Sequence, residues 1–351
     1  MDGTSSRITL CAALALVGAA VPATAQTTDP VFAGWRFSPA TVGSRSAGMG
    51  GAFVAVADDA SATYWNPAGL VTGSVFSAVA EVAQGDFEGA PVPGANPPMT
   101  GFAGRGSFLV ALGTWPVGAT FYRIADATAR VIGPGTEAAN VVAAAELRRL
   151  TTTNVGVNLL HSLWSGVHVG ATLKYVHGSA GGDVRLPAPG DPLDAARDLD
   201  ARGSNQFDVD AGVMVDLRKV KLGLTGRNLA EPEFETAQNA SRLQLPRQVR
   251  AGVAFRAAET LIVSLDADLT STPDVTGDRR SLAAGAEQRL WRDRAAVRGG
   301  FRISTTGDTR PVVTTGGSLA LKSGIFADGY VAVGLDEASP DGFGLGVRLV
   351  F

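Results

Sequence analysis

The sequence predicts an all-β fold, a transmembrane antiparallel β-barrel of about 14 strands with a small folded segment at its N-terminal side. Three observations predict this fold. Polar and apolar residues alternate with a period of two after residue 73, short turns alternate with longer loops, and the last strand ends on an aromatic residue. The composition agrees, because 44 glycines among 351 residues disfavour a helical bundle.

The first 25 residues read as a secretory signal sequence. Arg7 supplies the positive end, Ile8–Val21 is apolar, and Ala23-Thr24-Ala25 is a small-residue cleavage site before Gln26. A membrane-spanning helix needs about 20 apolar residues, so the apolar stretch is too short to span a bilayer easily. We therefore expect cleavage after Ala25.

The chain is thus expected to contain three parts: a signal peptide (1–25), an N-terminal hatch segment (26–73) and an outer-membrane barrel (74–351). The only cysteine, Cys11, lies in the predicted signal. A mature chain without cysteine has no disulfide and no thiolate metal site.

The N-terminal segment carries a glycine-rich run followed by turn and capping residues. Its irregular backbone could not be satisfied in lipid, so we expect it inside or below a barrel. Asp58 or Asp59 is expected to cap a short helix over Ala60–Trp65, after an extended piece over Phe53–Ala57. Asn66-Pro67 would end that helix. The candidate site residues of this segment are Gly48, Met49, Gly50, Gly51, Phe53, Asp58, Asp59, Asn66, Pro67, Ala68 and Gly69.

The barrel strands are predicted from their period of two, which Gln206–Leu217 illustrates. One face carries Phe207, Val209, Ala211, Val213, Val215 and Leu217. The other face carries Gln206, Asp208, Asp210, Gly212, Met214 and Asp216. A strand that is polar on one face and apolar on the other is typical of a wall between lipid and a polar interior.

Such stretches predict strands near 74–84, 105–113, 116–124, 148–161, 166–178, 205–217, 219–229, 246–256, 260–270, 280–290, 294–303, 311–322, 326–336 and 342–351. Longer loops are expected at 85–104, 125–147, 179–204 and 230–245, and short turns between them. This asymmetry is typical of barrels in the bacterial outer membrane, with short periplasmic turns. Trp115, Trp164 and Trp291 fall at predicted short turns, where indole rings favour the membrane interface.

Eight charged residues are predicted to face the lumen: Asp208, Asp210, Arg250, Asp266, Asp268, Glu287, Arg298 and Arg302. On neighbouring strands such residues form cross-strand ion pairs, and a role in selectivity is the alternative.

The final strand alternates up to its last residue, Phe351. This ending resembles the C-terminal signal that the barrel insertion machinery reads. We expect outer-membrane lipid and that machinery as partners.

Several functions are disfavoured. A net charge of −3 provides no basic field for nucleic acid. His161, His168 and His177 have no metal-ligand spacing, and the acids of loop 179–204 alternate with arginines, so no metal site is expected. No catalytic or cofactor motif occurs, which predicts a protein that is not an enzyme and has no cofactor.

Residues 43–70, GSRSAGMGGAFVAVADDASATYWNPAGL, resemble the N-terminal signature of the FadL-like outer-membrane proteins and of the related PorV/PorQ family. The resemblance implies a 14-stranded barrel whose lumen is filled by an N-terminal hatch. The FadL branch implies porin-like passive uptake of small hydrophobic molecules past that hatch. The PorV branch implies a barrel that binds proteins in secretion or surface attachment, and the motif does not decide between the two.

Overall fold

The computed structural model describes residues 42–351 except for 93–94, 96–97, 134–143, 188, 238–241, 276 and 338. The predicted signal sequence, its cleavage site and residues 26–41 lie outside the described residues. Within the described part of the chain, no helix is long and apolar enough to cross a membrane.

Fourteen strands form a closed antiparallel barrel, which confirms the predicted fold. They are β1 (Phe76–Pro91), β2 (Met99–Thr114), β3 (Val117–Ile132), β4 (Ala144–Trp164), β5 (Val167–Arg185), β6 (Arg202–Asp216), β7 (Val220–Arg227), β10 (Gln248–Ala258), β11 (Leu261–Asp268), β14 (Ser281–Leu290), β15 (Ala295–Ser304), β16 (Val312–Lys322), β17 (Ile325–Gly334) and β18 (Asp341–Val350). The barrel closes through β1 and β18, which pair from Ser77 opposite Val350 to Asp86 opposite Asp341. Closure satisfies the backbone hydrogen bonds that lipid cannot satisfy.

The alternation of faces follows the sequence pattern. In β6, the inward-facing Asp208 and Asp210 are 2% and 1% exposed. Phe207, on the outer face of the same strand, is 78% exposed. Exposed aliphatic and aromatic side chains continue this outer face around the barrel. Trp115, Trp164 and Trp291 are all exposed at the ends of strands or in turns, as an interfacial position requires.

The wall is taller on one side than on the other. Strands β1–β6 contain 15 to 21 residues, whereas the later barrel strands contain 8 to 11. The predicted loops 85–104, 125–147 and 179–204 are therefore wrong over much of their length, because strands extend into them. In Gly178–Arg185 one face carries Ser179, Asp183 and Arg185, and the other carries Ala180, Val184 and glycines. The apolar face therefore lacks the run of large side chains that marks the other strands.

Shorter elements occupy the longer connections. Two small hairpins consist of β8 (Glu233–Glu235) with β9 (Arg242–Gln244), and of β12 (Thr272–Asp274) with β13 (Gly277–Arg279). One short helix, here α3 (Pro192–Arg197), follows β5. It begins at Asp191, whose carboxylate accepts the backbone N–H of Leu193 at 2.8 Å.

Candidate functional site

The candidate site is the lumen and the chain that fills part of it. Residues 42–73, here called the lumenal segment, contain α1 (Ser44–Gly48), α2 (Ala62–Trp65) and a 3₁₀ helix, η1 (Pro67–Thr72). The segment contacts inward-facing residues of strands on opposite sides of the barrel, with α1 against β15–β18 and η1 against β4–β6. It therefore crosses the lumen from one wall to the other.

Glycines on the inner face of the wall admit this segment. A Cβ atom at Gly212 would overlap Asn66, and one at Gly300 would overlap the backbone of Met49 and Gly50. Gly50 itself has a φ of +68°, a conformation that glycine adopts without the strain of a side chain. The glycine-rich run thus allows two backbones to approach closely.

Arg45 is the centre of the ion pairs that hold the segment. Its guanidinium donates two hydrogen bonds of 2.7 Å to Glu287 on β14, a bidentate geometry that arginine favours. It also donates to Asp58 and, at 3.1 Å, to Asp59. One buried cation on α1 therefore joins the wall to the next turn of the segment.

These contacts shift the titration of both partners. Burial by itself opposes the charged forms, but the carboxylates around Arg45 raise its pKa well above the usual value. Burial would likewise raise the pKa of Asp59, yet the charges of Arg45 and Arg348 lower it below the usual value of 3.8. Both groups are therefore charged at neutral pH.

The expected roles of two acidic residues need correction. Asp58 and Asp59 do not cap α2 with their side chains, because the N-cap is Ser61 and α2 has no side-chain cap bond. Asp59 instead accepts the backbone N–H of Ser61 at 3.0 Å, and both carboxylates face Arg45. The attraction to a buried cation exceeds that of a helix terminus, where a charge stabilises by only about 0.3–1 kcal/mol.

The expected extended piece at Phe53–Ala57 is also corrected. The carbonyl oxygen of Phe53 accepts the N–H groups of Val56 and Ala57 at 2.9 and 2.8 Å, so the chain turns there. The reason lies on β11, where Asp266 accepts the N–H groups of Phe53 and Val54, each at 2.8 Å. A carboxylate that receives two backbone donors holds the start of this turn against the wall.

Asn66 and the residues after it attach the other end of the segment. The Asn66 side-chain amide donates to the carbonyls of Val54 and Val213 at 2.9 and 3.1 Å, and its oxygen accepts from Ala68 at 3.2 Å. Pro67 begins η1, a position that lacks an intrahelical N–H partner in any case. Gly69 lies directly against the carbonyl of Ala57.

The eight predicted lumen charges all lie on inward-facing positions, but their partners vary. Arg250 pairs with Asp268 at 2.6 Å, and Arg298 pairs with Glu287 at 2.6 Å. Asp208 and Asp210 each lie 2.7 Å from Lys174, which is 2% exposed. In the described part of the chain, Arg302 has no carboxylate within ion-pair distance.

Sequence reasoning missed several residues of this site. They include Arg45 on α1 and Lys174 on β5. Arg227 on β7 places its guanidinium 3.5 Å from the Tyr64 ring centroid. Arg348 and Asp328 extend the network on β17 and β18 at 2.9 Å. The inward positions of the strand residues follow from the period of two, which is the signal that could have identified them. Arg45 lies outside the strands, and no pattern in the sequence marks it. The partners of all these residues depend on the path of the lumenal segment.

A polar cavity of about 410 Å³ lies between the segment and the wall. Arg45, Asp59, Glu287 and Arg298 line it together with Asp293 of the turn between β14 and β15. No cluster of three potential metal-ligating side chains occurs among the residues that the structure describes. The cavity can hold water or a polar group at the end of the barrel that carries the short turns.

Fold and site together define an integral outer-membrane β-barrel protein whose lumen contains a segment of its own chain. A family model described as "F plasmid transfer operon, TraF, protein" matches residues 77–268, just over half of the 351-residue chain. The chain belongs to this family.

Solved structures with the same architecture include three hydrocarbon channels or FadL homologues. The CymD monoaromatic hydrocarbon channel has a TM-score of 0.61 at 15% identity, over 90% of this chain and 99% of that chain. A Pseudomonas aeruginosa FadL homologue has a TM-score of 0.58 at 11% identity, over 90% and 99%. The Ralstonia pickettii toluene transporter TbuX has a TM-score of 0.56 at 16% identity, over 90% and 98%.

At these identities the likeness shows the fold, so the expected FadL-like architecture is confirmed. A likeness to the PorV/PorQ family stays a prediction. No curated protein sequence matches the chain.

Proposed function

We propose that the barrel conducts small hydrophobic molecules passively across the outer membrane, and that the lumenal segment is the hatch that controls their passage. The observation that carries the proposal is the attachment of the segment. It occupies part of the lumen and is joined to the wall by discrete polar contacts, chiefly Arg45 with Glu287, Asp266 with Phe53 and Val54, and Asn66 with Val213. Such contacts can open without disturbing the hydrogen-bond ladder of the barrel.

An apolar cluster supports the hydrophobic nature of the solute. Leu150, Val176, Phe234, Leu243 and Leu245 are buried together on the tall side of the barrel. Nearby, β6 pairs with β7 only from Ala211 to Asp216. The upper part of β6 therefore has no barrel strand on the side that faces β7. A solute that entered from the outer leaflet at this step in the wall would reach this apolar cluster on the lumenal side. The toluene transporter TbuX and the hydrocarbon channel CymD, which share this fold, support the same substrate class and a function without enzymatic chemistry.

The hatch can be locked to the wall by a disulfide. Gly48 on α1 and Gly316 on β16 face each other, since a Cβ at either position would lie 3.1–3.2 Å from the Cα of the other. A disulfide has Cβ atoms about 3.8 Å apart and Cα atoms about 4.4–6.8 Å apart, so α1 and β16 must separate slightly for two cysteines at these positions to bond. The double variant Gly48→Cys/Gly316→Cys, with the Gly316→Cys single variant as its matched control, therefore tests whether the segment must move.

Uptake of a radiolabelled monoaromatic hydrocarbon by cells that express each variant is the measurement. We expect the oxidised double variant to lose uptake and to regain it on reduction, while the single variant behaves as the wild type under both conditions. Equal uptake by the oxidised and reduced double variant would refute the hatch. Uptake no higher than in cells without the protein would refute the channel itself.

A second function is favoured by the family description, which refers to a plasmid transfer operon. In this alternative the barrel binds proteins of a transfer or secretion apparatus, and the lumenal segment is a docking element. Plasmid transfer frequency distinguishes the two: deletion of the gene would lower transfer frequency in the alternative, and the oxidised disulfide variant would still restore it. Under the channel proposal, transfer frequency does not depend on the gene.

A further inference from the structure

The outer face of the tall wall carries a second cavity of about 300 Å³, above the apolar belt. Successive rows of this face follow from strand register. Phe108 and Arg123 are opposite each other, followed by Gly106 opposite Ala125, and then by Gly104 opposite Ala127. We call this cavity the outer groove. The residues that line it from the outer face of the barrel are Gln84, Gly104, Gly106, Arg123, Ala125, Ala127, Arg149, Thr151 and Arg197.

The loop that follows β5 folds back to form the upper border of the groove. Leu199 and Ala196 of this loop are buried against Ala127, Ala129 and Leu147. By the alternation along β3 and β4, these three residues are on the same outer face as Phe121 and Val155, which are exposed. The α3 region therefore covers the outside of the wall, and the groove lies between α3 and the belt.

The membrane boundary lies at the lower edge of the groove. Phe121, Val155, Tyr175 and Phe207 form one row across four strands, and the rings of Tyr175 and Phe207 are 5.7 Å apart. Such a row is typical of an aromatic girdle at the interface. Arg123 is two residues further along β3, roughly 20 Å above the turn at Trp115 for a tilted strand. The groove thus opens at the level of the lipid headgroups.

The groove has an excess of positive charge. Arg149 donates to the carbonyl oxygens of Arg197 and Leu199 at 2.7 and 3.4 Å, which leaves its charge uncompensated. Arg197 pairs with Asp194, whose side chain is 68% exposed. In the described chain, no carboxylate lies within ion-pair distance of Arg123 or Arg149.

Asp126 and Asp86 are carboxylates close to the groove. Asp126 contributes to its lining, but its charge is matched by Arg105 in an ion pair within the wall. Asp86 is on the same outer row as Gly104 and is not part of the lining.

Glycines keep the floor of the groove open. A Cβ atom at Gly106 would meet nothing within 4 Å, so open space lies above this residue. A Cβ at Gly104 would meet the Arg197 guanidinium at 2.7 Å, so glycine allows that arginine to lie on the wall. Backbone at the floor and guanidinium groups at the rim form a shallow site for a compact anion.

We propose that the outer groove binds the phosphate-bearing headgroup of an outer-leaflet lipid. Arginine is suited to phosphate because its planar guanidinium makes paired hydrogen bonds to two oxygens. Basic pockets at the membrane interface recognise anionic headgroups by the same chemistry. The acyl chains of the lipid would lie on the belt below, against Phe108 and Phe121. The position of the groove directly above that belt favours a lipid over a free anion.

The test uses the intact protein in a neutral detergent and titrates it with diphosphoryl lipid A, with phosphatidylcholine and with inorganic phosphate, measured by native mass spectrometry. The variant Arg123→Gln/Arg197→Gln removes two charges and keeps Arg149, which holds the α3 loop. The variant Gly106→Leu keeps all charges and fills the open floor. Arg202→Gln is the matched control, because Arg202 is an exposed arginine that pairs with Glu235 outside the groove.

We expect lipid A affinity to fall at least tenfold in the double variant and in Gly106→Leu, with a change of less than twofold in Arg202→Gln. Equal binding by all four proteins would overturn the proposal. Phosphatidylcholine bound as tightly as lipid A would also overturn it, since the belt alone would then explain binding. Complete competition by millimolar inorganic phosphate would identify a free-anion site instead.

Discussion

Replacement of Arg45 by glutamine tests whether one buried cation holds the lumenal segment to the wall. Arg45 has a side-chain exposure of 10% and serves three carboxylates. Breaking a buried ion pair by removing one partner costs about 3–5 kcal/mol. Glu287 would keep Arg298 at 2.6 Å, and Asp59 would keep Arg348 at 4.0 Å. We therefore expect the lower end of that range, about 3 kcal/mol.

Hydrogen exchange in detergent micelles is the measurement, because it separates local opening from global unfolding. A loss of about 3 kcal/mol corresponds to a fall of roughly 100-fold in the protection of amides in residues 43–72. Amides of the barrel strands should keep their protection, since the ladder does not depend on Arg45.

The control is Arg289→Gln, which removes another arginine that lines the same cavity. Its side chain is 38% exposed and pairs with Asp293 at 3.4 Å, so the expected change is within about 1 kcal/mol. Two results would refute the reasoning. One is unchanged protection of the lumenal segment in Arg45→Gln, and the other is an equal loss of protection in the strands, which would assign Arg45 to the barrel itself.

Deletion of Phe351 should lower the folded, heat-modifiable fraction in outer membranes, because its backbone exchanges hydrogen bonds of 2.9 and 3.1 Å with Phe76 at the barrel seam; an unchanged yield would contradict this. The pKa of Asp59 in the folded state is lower than its usual value of 3.8. The ionised Asp59 therefore stabilises the folded state fully at a pH above 3.8, and this stabilisation is lost as the pH falls through the folded-state pKa. Protection of the lumenal segment should therefore fall at acidic pH, and Asp59→Asn should abolish that part of the pH dependence; identical pH profiles would refute the assignment. N-terminal sequencing of the membrane form should begin at Gln26, and a retained Met1 would exclude a cleaved signal.

The class of fold and the faces of the strands can be predicted from the sequence alone. A period of two places alternate residues on opposite sides of a pleated strand, so it predicted that Asp208, Asp210 and Arg250 point inward. The same pattern, with the turn spacing, predicted the strand number. Outer strand ends such as Gly178–Arg185 were missed because a wall that has no lipid on its outer side needs no apolar face.

The partners of the lumen charges depend on how the whole chain folds. The sequence predicts cross-strand ion pairs among these charges, but Asp266 accepts two backbone N–H groups of the lumenal segment, and Asp208 and Asp210 share Lys174. Arg45 meets Glu287 across 242 positions of sequence, a separation at which no local pattern specifies contact. The physical reason is that facing follows from local backbone geometry, whereas pairing inside a closed barrel depends on register around the whole wall and on the path of the chain that fills it.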